Sequence, residues 1–203
     1  MRRPDFHRIP AFLIVSALTL AGVDSARAQH AGDILVGRTA AGQLAIEADL
    51  DEAILLEPVS GLLRGWTGAE PGYDTLQADE PEEDLFQLAA GANIFLEIIE
   101  VDEGLKFWAA AFAALADEAG ERVPLGGSSL HTHTTFHIDS DVVGTGFLGT
   151  LAATLRLVDT GSTGYADSEP FVMTFTNIPE PGSALLALAA SGFVLMRRRK
   201  GES

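Results

Sequence analysis

The chain has 203 residues, 13 basic against 29 acidic side chains, a formal net charge of −16 and no cysteine. Its length suits one ordinary domain plus processing segments. The missing cysteines exclude a disulfide framework, thiolate metal ligation and a thiol nucleophile.

The leader, residues 1–28, has three zones. Arg2, Arg3 and Arg8 precede an apolar run at 11–23 (AFLIVSALTLAGV), which is too short to span a bilayer. Ala26 and Ala28 then put small residues at the −3 and −1 positions before Gln29. This order predicts an N-terminal signal helix that engages the secretory translocon and is cut by signal peptidase before Gln29.

Residues 29–177 form the expected extracytoplasmic domain. They hold five basic and 25 acidic residues, a balance of −20. A domain of that charge repels nucleic acid, which is excluded as a partner. Residues 30–36 read as a short strand, 37–42 as a turn and 43–47 as a half-buried strand, together a hairpin. Residues 49–83 are acidic and rich in Pro and Gly, the composition of loops. Asp79, Glu80, Glu82, Glu83 and Asp84 lack the spacing that wraps oxygen ligands around calcium, so they read as a solvated acidic loop. Strands are expected at 92–101, 105–109, 130–138, 146–158 and 171–176, with a short helix or irregular turn after 109 and a turn at 159–164. Six to eight strands with little helix predict a mainly β fold, an antiparallel β-sandwich. With the two processing segments, that fold carries an N-terminal signal helix and a C-terminal transmembrane sorting helix.

The run LHTHTTFHI at 130–138 is the one constellation with metal chemistry. On a continuous strand His131, His133 and His137 share a face. Neighbours two residues apart lie about 7 Å from each other, so two imidazoles can converge on one ion. His137 would join only through a bulge, and a third ligand is expected from another strand, His30 or an Asp. Zinc is the first metal to consider, since imidazole and carboxylate suit it. The same His/Thr alternation also describes the solvent face of an ordinary strand, and on that reading there is no cofactor. No Gly-x-Ser-x-Gly elbow is present and the Gly-rich turns precede strands, so the sequence predicts no enzyme and no catalytic residue.

The segments around 125–140, 157–168 and 171–177, with their His-x-His followed by an aromatic residue, resemble the all-β domain of bacterial surface-anchored proteins of the choice-of-anchor type. Those domains often carry an early Gly-His-x-Asp-Ile, of which His30-Ala31-Gly32-Asp33-Ile34 is an imperfect echo.

Residues 178–203 combine Pro179-Glu180-Pro181, an uncharged apolar run at 182–196 and the basic cluster Arg197, Arg198, Arg199 and Lys200. As a helix the run is about 22 Å long against a bilayer core near 30 Å, marginal as a permanent anchor and sufficient for a transient one. The cluster would keep the C-terminus cytoplasmic. The three-part order resembles the PEP-CTERM sorting signal. That resemblance implies that Pro179, Glu180 and Pro181 are recognised by an exosortase-type membrane protease, and that the protein passes through the inner membrane to the cell surface or an extracellular matrix rich in exopolysaccharide. Three functional expectations follow: a non-enzymatic exported surface protein, an extracytoplasmic zinc module using the histidines, or an exopolysaccharide-binding module with Trp66, Tyr73 or Trp108 as a stacking platform.

Overall fold

A computed structural model describes residues 32–178. The signal helix and the sorting helix expected at the two ends lie outside these residues. Among the described residues no helix is long and apolar enough to cross a membrane.

The expected hairpin is present: β1 (Ile34–Arg38) pairs antiparallel with β2 (Leu44–Glu47). The stretch expected as loops, 49–83, instead contains four short strands, β3 (Ile54–Leu55), β4 (Glu57–Val59), β5 (Gly65–Gly68) and β6 (Tyr73–Thr75). Each is too short to carry a readable alternation and is held by pairing with a distant strand. The acidic residues at 79–84 are exposed, and two of them organise neighbouring loops. Asp79 accepts from the Gln87 amide and Asp84 from the Ala40 amide.

Next come β7 (Asn93–Val101), β8 (Leu105–Trp108), β9 (Leu115–Ala116) and β10 (Arg122–Gly127). The run 130–138 is not one strand. It divides into β11 (His131–Thr132) and β12 (Thr135–Asp139), separated by His133 and the buried Thr134. A one-turn helix, α1 (Ser140–Val143), then leads to β13 (Thr150–Asp159) and β14 (Phe171–Thr176).

These strands make three sheets, ordered β11-β6-β1-β2, β10-β7-β13-β14-β3 and β4-β5-β12-β8-β9. The fold is mainly β and consistent with a β-sandwich. It is not purely antiparallel, because β1 pairs parallel with β6 and β14 parallel with β3. One hydrophobic cluster draws on all three sheets, including Ile34 and Val36, Leu96 and Ile98, and Phe107 and Phe136. Phe107 and Phe136 of one sheet meet Phe175 of another, with ring centroids 4.8–5.8 Å apart. The buried Tyr73 hydroxyl, on the third sheet, reaches the Met173 sulfur at 3.5 Å.

On the opposite face of β7 one charge is fixed by register. Arg122 of β10 and Arg156 of β13 both lie directly across from Glu97. Arg122 Nε donates to Glu97 at 2.5 Å and Arg156 Nε at 2.7 Å. Burial alone raises the pKa of the Glu97 carboxyl, but the hydrogen bonds and charges of Arg156 and Arg122 outweigh it and hold the group below its ordinary value of 4.5. A depressed folded-state pKa means that the unfolded chain binds the extra proton. The stabilisation is therefore complete above pH 4.5 and drains away as pH falls through the folded value. Both guanidinium groups reach water, so Glu97→Gln is expected to destabilise by only about 1–2 kcal/mol at neutral pH. Urea unfolding should show that gap narrowing as pH falls below 4.5; a gap independent of pH would contradict the assignment.

Candidate metal site

Topology brings three ligand-bearing residues together at one end of the sheets. β12 pairs with β5 through Phe136 opposite Gly68, so the residues just before β12 lie beside those just after β5. This sets His133 next to Ala69 and Glu70. β6 pairs with both β1 and β11, which carries the segment entering β1 to the same place and delivers Asp33. One ligand atom from each of Asp33, Glu70 and His133 lies within 4.8 Å of the others.

The local contacts fix two of the three side chains. Asp33 is 8% exposed, and its Oδ1 accepts from the Gly72 amide at 2.9 Å. Its Oδ2 is buried without a hydrogen-bond partner. Leaving a buried carboxylate oxygen unsatisfied costs roughly 1–3 kcal/mol or more, an expense that a bound cation would remove. His133 Nδ1 lies 3.1 Å from the Ala69 carbonyl and 3.4 Å from Glu70 Oε1. Gly72 packs between these groups: a Cβ there would sit 2.7 Å from the His133 ring and 3.1 Å from Asp33 Oδ1. Glycine is what lets the backbone pass between the two ligands. The Glu70 side chain is mostly exposed and able to swing.

The donor set is one imidazole and two carboxylates, which suits zinc and neighbouring divalent transition metals better than calcium or magnesium. Tetrahedral zinc at about 2.0–2.1 Å from each ligand sets donors roughly 3.4 Å apart. Glu70 Oε1 already lies 3.4 Å from His133 Nδ1, so the contraction needed brings Asp33 towards that pair. Clefts of about 520 Å³, lined in part by Asp74 and His131, and about 490 Å³, lined in part by Gly32, Glu70 and Pro71, open beside the cluster. A fourth position would therefore be reachable from solvent.

The three histidines of the 130–138 run, expected on one strand face, separate here. His131 and His133 do come together, with ring centroids 5.5 Å apart and ring planes at 87°. His131 nonetheless lies outside the three-residue cluster, with its Nδ1 3.6 Å from Asp74 Oδ2. His137 does not join. It is buried within β12, on a different sheet from β11, and its Nε2 lies 3.1 Å from the Arg64 carbonyl. The strand break at 133–134 removes the shared face. His30 lies outside the described residues; Asp33, three positions beyond it, is an aspartate within reach of His133. Glu70 escaped sequence reading because only the β5–β12 pairing brings it to His133. The sorting residues Pro179, Glu180 and Pro181, the basic residues Arg197, Arg198, Arg199 and Lys200, and the cleavage residues Ala26, Ala28 and Gln29 also lie outside the described residues.

The stacking platform loses a member, because Tyr73 is fully buried in the core. Trp66 and Trp108 are half-buried, with edge contacts to Phe147 and Phe112 respectively. Compared with protein-family models, curated proteins and solved structures, the chain has no match.

Proposed function

We propose that the chain is an exported, non-enzymatic protein whose β-sandwich domain binds one divalent transition metal ion, zinc first, through Asp33, Glu70 and His133. The observation that carries this reading is the buried, unpartnered Asp33 Oδ2 within reach of an imidazole and a second carboxylate. His131, beside His133, shapes the approach to the ion. Export is supported by the leader and by the Pro179-Glu180-Pro181 tail with its likeness to the PEP-CTERM signal. On this reading the protein passes the secretory translocon and an exosortase-type protease. It then resides at the cell surface or in a matrix, where exopolysaccharide is its surroundings rather than its stacked ligand.

Equilibrium dialysis of the metal-stripped full chain against zinc, manganese and calcium, followed by elemental analysis, tests the binding half. One tight zinc equivalent per chain is expected, with calcium much weaker; no tight zinc equivalent sinks the reading. N-terminal sequencing of the protein recovered from cells tests export. A chain beginning at Gln29 is expected, and a cytoplasmic chain retaining residues 1–28 overturns it.

A further inference from the structure

Around the chain's exit from β14 lie exposed apolar side chains, joined by contacts that can be followed one by one. The loop between β4 and β5 contains Leu62, which is 99% exposed. That loop is fastened to α1, where Arg64 pairs with Asp141 at 2.9 Å and the Ser140 amide donates to the Arg64 carbonyl at 3.1 Å. Helix α1 presents Val142, 46% exposed. The segment that follows contributes Leu148, 74% exposed, while its neighbour Phe147 packs against Trp66 just beyond the same loop. Asn177 then ties this segment to the chain's exit. Its Nδ2 donates to the Phe147 carbonyl at 2.7 Å, and its Oδ1 accepts from the Gly149 amide at 3.0 Å. Ile178, 48% exposed, comes next and is the last described residue.

Single exposed leucines need no explanation, but several around the point where an apolar tail leaves do. Gly182 begins the uncharged run only four residues past Ile178, a reach of roughly 15 Å at full extension. The polar layer on each side of a bilayer core is about 5–8 Å thick. A tether of that reach holds the domain within about 10 Å of the headgroups, and the part nearest them is the one bearing Ile178. We infer that this rim, Leu62, Val142, Leu148 and Ile178, is a lipid-contacting surface that seats the domain on the bilayer while the tail is attached. The inference rests on the reading of residues 182–196 as membrane-inserting. Asp102, Glu103 and Asp141 border the same end and are exposed, so the surface suits zwitterionic rather than anionic lipid. His133 precedes β12 and α1 follows it, so the length of β12, roughly 17 Å, separates the metal site from Val142.

The absence of native cysteine makes a direct test available. Single-cysteine variants of the full chain, Leu62→Cys, Leu148→Cys, Ser162→Cys and Ala187→Cys, are labelled with an environment-sensitive fluorophore and reconstituted into phosphatidylcholine vesicles containing a headgroup-level quencher lipid. Leu62 and Leu148 are too exposed for their replacement to disturb folding. Ser162 is exposed at the far end of β13, about 30 Å from Thr150, and Ala187 reports on the tail itself. Quenching several-fold stronger at positions 62 and 148 than at 162 is the expected result. Equal, weak quenching at 62, 148 and 162 with a lipid-buried label at 187 overturns the seating and leaves the tail reading intact. A label at 187 exposed to water overturns both.

Discussion

Replacing His133 by alanine is expected to lower zinc affinity by at least about 100-fold, measured by competition with a chromophoric chelator. The imidazole is the only nitrogen among the three ligands, and two carboxylates alone form a hard-donor site that holds zinc weakly. Asp33→Asn separates ligation from packing, since the amide oxygen can still accept from Gly72 while the charge on the buried, unpartnered oxygen is gone. It should bring a comparable loss of affinity with little loss of fold. His137→Ala is the internal control. That ring is buried against the Arg64 carbonyl, away from the cluster, so the variant should melt earlier yet bind zinc as the parent does. Equal zinc binding by the parent and by His133→Ala would remove the site. Loss of binding in His137→Ala below its melting temperature would restore the single-strand arrangement expected from sequence. Ligation requires unprotonated imidazole and carboxylates, so affinity in the parent should also fall on acidification.

How far the fold could be read ahead of the structure depended on strand length and on which neighbour stabilises each strand. The segment 92–101 announces itself through its β-branched and aromatic residues, and β7 occupies nearly that span. The strand at 171–176 and the turn after Asp159 are equally legible, the latter because Asp159 accepts from the Gly161 amide two residues on. By contrast β10 contains Pro124, Gly126 and Gly127, a composition that argues against a strand. It is tolerated because β10 is an edge strand with an irregularity between Pro124 and Gly126. The strands β3 to β6, two to four residues each, exist by virtue of their partners. The same limit governs the candidate site. A pair of histidines two apart is visible in any sequence, but Glu70 and His133 become neighbours only when Gly68 is known to face Phe136. Thr134, an ordinary residue in an alternating run, is where the chain leaves one sheet for another, and nothing local marks that crossing. The likenesses to anchor-type domains and to the sorting tail bear only on the proposed destination, while the candidate ligands are brought together by topology.

That crossing also makes Phe136 the residue on which the packing of β12 depends, and Phe136→Ala is expected to destabilise by about 3–5 kcal/mol. The ring is fully buried, edge-on to Phe107 at 5.7 Å and tilted against Phe175 at 4.8 Å, so it joins the sheet containing β12 to the sheet containing β14. Truncation removes the transfer energy of the ring and the two aromatic contacts, and it leaves a cavity that two sheets pinned by hydrogen bonds cannot readily close. Against a total stability of about 5–15 kcal/mol, the loss is large enough to read directly from the urea midpoint, with the slope of the transition unchanged. Phe136→Leu keeps most of the volume and should recover more than half of the deficit. A midpoint shift equivalent to under 1 kcal/mol for the alanine variant would mean that the three rings do not form the junction described. Because Phe136 lies three residues from His133 and directly across from Gly68, the alanine variant should also loosen the zinc site before global unfolding. Affinity measured well below the midpoint should therefore fall modestly, by less than the loss from His133→Ala, which is the signature of a residue that positions a ligand without being one.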